Sequence, residues 1–212
     1  MGPSTGRPSV SGPEHSYDVE VVALVAGAAH RMDGRPLAPP PAPALDARDA
    51  VEVRAGVGVV GDRYAGRPAH RDAAVTVLAV EALEAVAAEL GAAPFDPHAP
   101  RRSVVLRGAE VEALRGLRFS LDCGDGDVVL QGGRPAHPCA WMDLVLAPGA
   151  HRALRGRGGV RCAALTGGLL RLGPAVLRSP VPLDATRAGD PVRPLRPTRA
   201  HDTPTTGETA AG

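Results

Sequence analysis

The sequence contains no lysine, so each of its 24 basic residues is an arginine. Without lysine no Schiff base can form on a side chain, and any anion must be held by arginine, histidine or backbone N–H groups. The formal net charge is only +1. The chain therefore lacks the strong basic excess that is typical of nucleic-acid-binding proteins, and small ligands are the expected partners.

Aromatic residues and long apolar runs are also scarce. Only 2% of the residues are aromatic, so the core must be built from valine, leucine and alanine, which favours short strands and small helices. No apolar run approaches the roughly 20 residues of a membrane span. The N-terminal residues contain no apolar signal region, and the 3 cysteines show no disulfide framework. These absences predict a cytoplasmic protein with free thiols and no membrane segment.

The 212 residues are enough for one domain of ordinary size. Residues 1–16 are rich in glycine, proline and serine, and residues 181–212 repeat proline, threonine, arginine and alanine without periodicity. Such composition is typical of disordered tails. We therefore expect a folded domain over residues 17–180 between two disordered ends.

Short β-strands dominate the expected secondary structure. Apolar runs predict strands over residues 18–26, 75–78, 104–106, 117–121 and 128–130, and a sharply bent strand over 51–60. Five prolines at 36–43 predict a surface excursion. The best helix is EALEAVAAELG, which Gly91 ends, and residues 141–155 predict one or two shorter helices.

The C-terminal run VRCAALTGGLLRLGPAVLRSP has the spacing of a hairpin around TGG followed by one last strand. Many short strands, few helices and frequent glycine corners favour a mainly β (α+β) fold. The expected architecture is a closed or nearly closed β-barrel of short strands with a few peripheral helices.

Cys139, in RPAHPCAWMD, is the first candidate functional residue. A thiolate is both a nucleophile and a metal ligand, and the nearby His137 and Arg134 could favour that form. The alternative is an inert buried thiol, because free cysteine is among the most buried residue types. For Cys123 and Cys162, which lie in strand-like contexts, packing is the favoured interpretation.

Two further groups could surround a ligand. In PRRSVV, Arg101, Arg102 and Ser103 could hold a phosphate through guanidinium and backbone N–H groups, although solvated surface arginines are commoner. In GDRYAG, Asp62 is expected to form an ion pair with Arg63 or with Arg71, and the favoured role of that pair is structural. In the following HRDAAV, His70 is a candidate proton donor. A lone histidine, however, more often has a purely structural role.

Taken in order, GVGVVGDRYAG, HRDAAVTVLAVEALEAVAAELG, PRRSVVLRGAEVEALRGLRFSL, HPCAWMD and RGRGGVRCAALTGGLLRLGPAV resemble the MOSC domain, named for the C-terminal domain of molybdenum cofactor sulfurases. The resemblance covers roughly residues 17–180. It implies a β-rich barrel and an association with the molybdenum cofactor (molybdopterin). The family's characteristic cysteine matches Cys139, which would ligate molybdenum or carry a persulfide.

The motifs and the resemblance together predict roles for these residues. Arg101, Arg102, Ser103, Asp62 and Arg63 would contact the cofactor, and Cys139 would be the catalytic residue with His70. Two positions depart from the family pattern, because Ser103 stands where relatives carry asparagine and Tyr64 where relatives often carry histidine. Pyridoxal phosphate, which the parent sulfurases bind in another domain, is not expected without a lysine.

Three functions follow from the resemblance and remain open at this point. The protein could reduce N-hydroxylated substrates at molybdenum, which requires an external electron donor because the sequence has no iron–sulfur or flavin motif. It could carry sulfur as a persulfide on Cys139 and receive it from a cysteine desulfurase-type donor. It could also bind the cofactor without catalysing a reaction.

Overall fold

The computed structural model describes residues 15–29 and 43–192. Most of the N-terminal tail expected at 1–16 and of the excursion at 36–43 lies outside the described residues, as do residues 193–212. The strands are β1 His15–Val25, β2 Ala47–Arg48, β3 Ala50–Arg54, β4 Gly58–Val59, β5 Val75–Ala79, β6 Val104–Arg107, β7 Arg118–Asp122, β8 Asp127–Pro135, β9 Val160–Ala164, β10 Gly168–Arg171 and β11 Gly173–Ser179. The α-helices are α1 Val80–Leu90, α2 Met142–Val145 and α3 Ala150–Ala153, and 3-10 helices span Pro43–Asp46, Pro68–Ala73, Val111–Leu114 and Ala185–Arg187.

Seven strands close into a barrel in the order β11, β7, β8, β9, β5, β6 and β1, and β1 pairs with β11 again. The 11-residue β1 closes the barrel because its first part pairs with β11 and its last part pairs with β6. The interior consists mainly of valine and leucine side chains, with Phe119 among the few larger ones. The predicted mainly β barrel with a few peripheral helices is therefore confirmed.

The parallel pair β5–β6 requires a crossover, and α1 supplies it. Helix α1 begins directly after β5 and ends at Gly91, which adopts the left-handed conformation with φ 61°. Its buried face packs with α2 and α3 in a second apolar cluster outside the barrel, which includes Trp141 and Met142. The predicted helix and the two short helices after residue 141 are confirmed.

The hairpin expected around TGG is wrong. Strand β9 pairs with β5 and β8, whereas β10 pairs with β3 in a separate three-stranded sheet. TGG connects β9 in one sheet to β10 in the other. Its glycines allow close contacts: a Cβ on Gly168 would meet Val128 at 2.7 Å, and one on Gly167 would meet the Val53 carbonyl oxygen at 3.1 Å. The bent strand expected at 51–60 is a tight hairpin of β3 and β4.

The domain continues beyond the expected boundary at residue 180. Ala188 is 2% exposed, and the Leu183 backbone N–H donates to the Tyr17 hydroxyl at 2.8 Å. The Val192 N–H donates to the Gly156 carbonyl oxygen at 3.0 Å. Composition alone predicted that residues 181–192 belong to a tail. These hydrogen bonds and the buried Ala188 instead attach the segment to the folded domain.

Candidate functional site

A cavity of about 280 Å³ lies at the barrel end where β5 and β6 begin and β8 has just ended. It brings together almost all of the site residues predicted from the sequence, which are Cys139, Arg101, Arg102, Ser103, Asp62 and Arg63. His70 does not line it. The lining also includes Thr76, His137 and Arg161, which sequence analysis did not assign to the site. The barrel topology thus assembles one site from six separate segments.

Cys139 lies in the loop between β8 and α2 and is exposed. The loop is fixed from its C-terminal side, because the Cys139 carbonyl oxygen accepts a hydrogen bond from Met142 N–H at 2.9 Å and both Trp141 and Met142 are buried among the helices. An exposed thiol on an anchored loop is accessible to a ligand or a protein donor.

The other two cysteines have a different environment. Cys162 is fully buried in the barrel, where desolvation raises the pKa of its thiol to about 12. Cys123 is partly buried against the core, and burial is also the main cause of its raised pKa. The packing interpretation is confirmed for both, and only Cys139 lines the cavity.

Arg102 holds the Cys139 loop in place. Its Nε donates to the Gly158 carbonyl oxygen at 2.9 Å, and its Nη2 donates to the Ala136 carbonyl oxygen at 3.1 Å. Desolvation, followed by repulsion from Arg161, lowers the pKa of Arg102 to about 10, and the Cys139 thiolate opposes this shift. Arg102 therefore places a positive charge near the thiol while its donors are used by the protein itself.

Arg101 is paired with an acidic residue. Its guanidinium forms an ion pair with Asp46, whose side chain is almost completely buried. Arg101 has a backbone φ of 56°, in the left-handed region that non-glycine residues seldom adopt. The Asp46 carboxylate lies directly against Gly27, where an added Cβ would come within 2.4 Å of its Cγ. Much of the charge of Arg101 is thus compensated inside the protein.

Asp62 organises the turn of GDRYAG. Its Oδ2 accepts a hydrogen bond from Gly27 N–H at 3.3 Å, and its Oδ1 accepts one from Tyr64 N–H at 3.0 Å. Desolvation raises the pKa of Asp62. No ion pair joins Asp62 to Arg63 or Arg71 in the described part of the chain. The role of this carboxylate is therefore to hold the turn through backbone groups.

Arg63 stacks on the aromatic ring of Tyr64. Its guanidinium carbon lies 4.0 Å from the centre of the Tyr64 ring, and an N–H donates to the Tyr64 hydroxyl. His70 contacts the same ring, with centroids 4.4 Å apart, and lines a neighbouring pocket with Arg67. His70 therefore lies next to Tyr64 and outside the cavity, whereas His137 lines the cavity with Cys139.

Ser103 forms hydrogen bonds with Thr76 on the neighbouring strand β5. Its backbone N–H donates to Thr76 Oγ1 at 2.8 Å, and its Oγ accepts from Thr76 N–H at 3.2 Å. The two hydroxyl oxygens are also 3.2 Å apart. This reciprocal pair joins Thr76, near the start of β5, to the residue directly before β6 at the cavity wall. Ser103 is only 8% exposed, so its hydroxyl has little freedom to turn towards a ligand.

Arg161 reaches the cavity from β9, where it is paired in register with Thr76 on β5. Its guanidinium forms no hydrogen bond or ion pair with any described residue. Desolvation and repulsion from Arg134 lower its pKa. The signal in the sequence is an arginine at an alternate position of an otherwise apolar strand, VRCAA, but that signal does not say which side of the barrel it faces.

The cavity is electrostatically suited to an anion. The pKa of Arg63 is lowered first by desolvation and then by Arg101, Arg67 and Arg161, so several positive charges repel one another there. An anion between Arg63 and Arg161 would relieve that repulsion. Among the residues described, no three His, Cys, Asp or Glu side chains form a group suited to a metal ion. The site therefore combines a cationic cavity with a single accessible thiol.

A β-barrel domain with a cationic, thiol-bearing cavity at one end is the class that fold and site define. The family model for the MOSC domain matches residues 54–192, and the chain belongs to this family. No curated protein matches the sequence significantly.

Solved structures show the same fold. The YUAD protein from Bacillus subtilis is 16% identical, with a TM-score of 0.62 over 78% of this chain and 97% of that one. YiiM from Geobacillus stearothermophilus is 18% identical, with a TM-score of 0.52 over 75% of this chain and 74% of that one. At these identities the likeness concerns the fold alone. No helix in residues 15–29 and 43–192 is long and apolar enough to cross a bilayer.

Proposed function

We propose that the protein binds the molybdenum cofactor in the arginine-lined cavity, with the Cys139 thiolate as the metal ligand, and that it reduces N-hydroxylated substrates. The observation that carries the proposal is the presence of Cys139, Arg63 and Arg161 in one cavity. The MOSC family is associated with this cofactor. Its phosphate suits guanidinium groups and its metal suits a soft thiolate, so the residues present fit the group.

The proposal gives the four arginines different roles. Arg63 and Arg161 would hold the phosphate, because neither forms an ion pair with another described residue. Arg101 is paired with Asp46, and Arg102 is bonded to two loop carbonyl groups, so these two position the walls of the site. Ser103 would contribute little to cofactor contact because its hydroxyl is paired with Thr76.

When bound, the molybdenum centre would supply the exchange of two electrons. Reduction of an N-hydroxylated compound to the amine consumes two electrons and two protons and releases water, so the protein needs an external electron donor. The chain's own part is to hold the reacting group beside Cys139 in the arginine-lined cavity. A direct proton-donor role for His70 is not part of this proposal, because His70 lies beyond Tyr64.

A persulfide carrier is the second candidate, and the exposure of Cys139 favours it. The Cys139 thiolate would attack the outer sulfur of a persulfide on a cysteine desulfurase-type donor. The bond between the donor's two sulfurs breaks, a persulfide forms on Cys139, and the donor leaves as a thiolate. No net oxidation or reduction accompanies this transfer.

The test is metal analysis by mass spectrometry, with pterin fluorescence after oxidation, on protein made in a host that synthesises the cofactor. We expect molybdenum and pterin near one per chain in the wild type and a loss of more than about tenfold in Cys139→Ala. Cys123→Ala is the matched control and should retain both. Cofactor retained in Cys139→Ala would indicate a binding module without a thiolate ligand. Protein without molybdenum but with labile sulfur on Cys139 would favour the carrier.

A further inference from the structure

A second cavity, of about 710 Å³, borders the loop that contains Cys139. Its lining is largely apolar and includes Pro135, Ala136 and Pro138 of the loop and Val192 of the C-terminal segment. Sites for small organic molecules typically enclose about 300–1,000 Å³ and are mostly apolar with a few polar groups. The size and the lining of this cavity match that description.

Hydrogen bonds hold two of the segments that line this second cavity. From the cationic side, Arg102 holds the carbonyl groups of Ala136 and Gly158, which both line the apolar cavity. A Cβ on Gly158 would come within 2.4 Å of the Ala136 carbonyl oxygen, and one on Gly156 within 2.6 Å of that of Val192. The segments thus approach each other more closely than side chains allow. The apolar cavity is therefore preformed.

The polar groups of the apolar cavity are cationic. Arg115 forms an ion pair with Glu112, and its buried Nε has no hydrogen-bond partner among the described residues. Arg155 is exposed, and its guanidinium forms no ion pair or hydrogen bond with any described residue. None of the described residues that line the cavity is acidic. The rim therefore favours a ligand with an anionic or hydrogen-bond-accepting end and disfavours a cationic one.

His137 lines both cavities, so the two share a wall residue. We infer that the apolar cavity binds the body of a small organic anion, with the anionic end at Arg155, while the reacting group extends past His137 to Cys139. The inference rests on the proposed function for the identity of the reaction. It makes the substrate class apolar molecules that carry a negative charge away from the reacting group.

The first experiment measures binding without cofactor or turnover. The probe is 8-anilinonaphthalene-1-sulfonate, which has an apolar body and one anionic end, followed by fluorescence on the full chain. N-phenyl-1-naphthylamine, which lacks the sulfonate, tests the apolar part alone. Val192→Trp fills the cavity, Arg155→Glu reverses its rim charge, and Arg152→Glu is the control because Arg152 is exposed nearby and outside the lining.

We expect one sulfonate probe per chain, bound at least about tenfold more weakly by Val192→Trp and about five- to tenfold more weakly by Arg155→Glu. Arg155→Glu should leave binding of the uncharged probe unchanged, and Arg152→Glu should resemble the wild type. Circular dichroism checks that each variant folds. Several equivalent probe sites, or equal affinity in the wild type, Val192→Trp and Arg155→Glu, would overturn the inference.

The second experiment tests the connection between the cavities. A saturating sulfonate probe should slow alkylation of Cys139 by N-ethylmaleimide several-fold and leave the rate at Cys123 unchanged, as mass spectrometry can measure for each residue. Unchanged alkylation of Cys139 would contradict a shared passage at His137. The two proposals fail separately, because molybdenum content tests the cofactor and probe binding tests the apolar cavity.

Discussion

The barrel interior and the loops at its end use the same residue types for different purposes. Cys162 is sealed inside the barrel with a raised pKa, whereas Cys139, on a loop beside four arginines, is exposed. Inside the barrel, apolar side chains fill the space and polar groups are few. At the loop end, hydrogen bonds and ion pairs position the chain. Stability should therefore depend mainly on the interior, and ligand binding on the loop end.

The largest expected effect is on the interior. Leu177, on β11, is fully buried, and Leu177→Ala should lower the free energy of unfolding by about 2–5 kcal/mol because it leaves a cavity in the core. Leu172→Ala is the control, since Leu172 is 41% exposed, and it should change stability by less than about 0.5 kcal/mol. Urea unfolding measures both. Equal effects of the two substitutions would remove the contrast between interior and surface.

The next effect concerns the hydrogen bonds by which Arg102 holds the loop that contains Cys139. Arg102→Gln should lower the free energy of unfolding by about 1–3 kcal/mol, because the Ala136 and Gly158 carbonyl groups lose their charged donor. Hydrogen exchange should become faster in the loop that contains Cys139 and remain unchanged in β7. Arg118→Gln, an exposed change on β7, is the control. A loop that exchanges at the wild-type rate in Arg102→Gln would show that Arg102 does not position it.

The pH dependence of stability tests the buried carboxylate of Glu112. Glu112 accepts a hydrogen bond from the N–H of Gly159, the residue after Gly158, to which Arg102 donates. Desolvation raises the pKa of Glu112 in the folded protein, so between its unfolded and folded pKa values the native state holds more protons than the unfolded state. This contribution to stability is present at low pH and is lost as the pH rises through the folded pKa. Glu112→Gln should remove it while keeping an acceptor for Gly159 N–H.

Denaturant unfolding at several pH values, compared between the wild type and Glu112→Gln, measures this contribution. The slope of the free energy of unfolding against pH should differ between the two proteins by no more than about 1.4 kcal/mol per pH unit, the value for one proton. The sign is the decisive observation: a wild type that gains stability relative to Glu112→Gln as the pH rises from 4.5 would contradict the raised pKa.

The smallest effect concerns the hydrogen-bonded pair of Ser103 and Thr76. The reciprocal bonds between Ser103 and Thr76 predict that Ser103→Ala and Thr76→Val each cost about 1 kcal/mol and that the double variant costs less than their sum. A double-mutant cycle from urea unfolding gives the coupling. Strictly additive effects would mean that the two hydroxyl groups do not stabilise each other, and Ser103 would then be available for a ligand.

Local patterns predicted much of the fold correctly. The strand that became β1, the helix α1 with its stop at Gly91, and the short helices after residue 141 each depend on the spacing of apolar side chains or on one glycine. The hairpin around TGG was wrong because strand pairing is decided by contacts distant in sequence. The extent of the domain after residue 180 was missed for the same reason, since Ala188 is buried by elements far from it in the chain.

The candidate site divides in the same way. Cys139, Arg101, Arg102 and Ser103 stood out in sequence because they occur in short motifs, and the structure brings them to one cavity. The sequence did not show that Arg102 is bonded to loop carbonyl groups. Arg161 was missed because a single arginine in an apolar strand carries no motif. His70 was included because of its position near GDRYAG, yet the chain turns it away from the cavity.

The sequence by itself determined the residue types that any site must use and the sequence motifs that identify the family. With no lysine, guanidinium groups must provide most of the positive charge, and one cysteine stood apart from strand-like context. Only the tertiary structure decided which arginine side chains are paired with other groups of the protein and which remain available to a ligand. Arg101 is paired with Asp46, and Arg102 donates to the carbonyl groups of Ala136 and Gly158, all distant in sequence. The register of β9 on β5 leaves Arg161 facing the cavity. The physical reason is that burial and hydrogen bonding depend on which segments the closed barrel brings together.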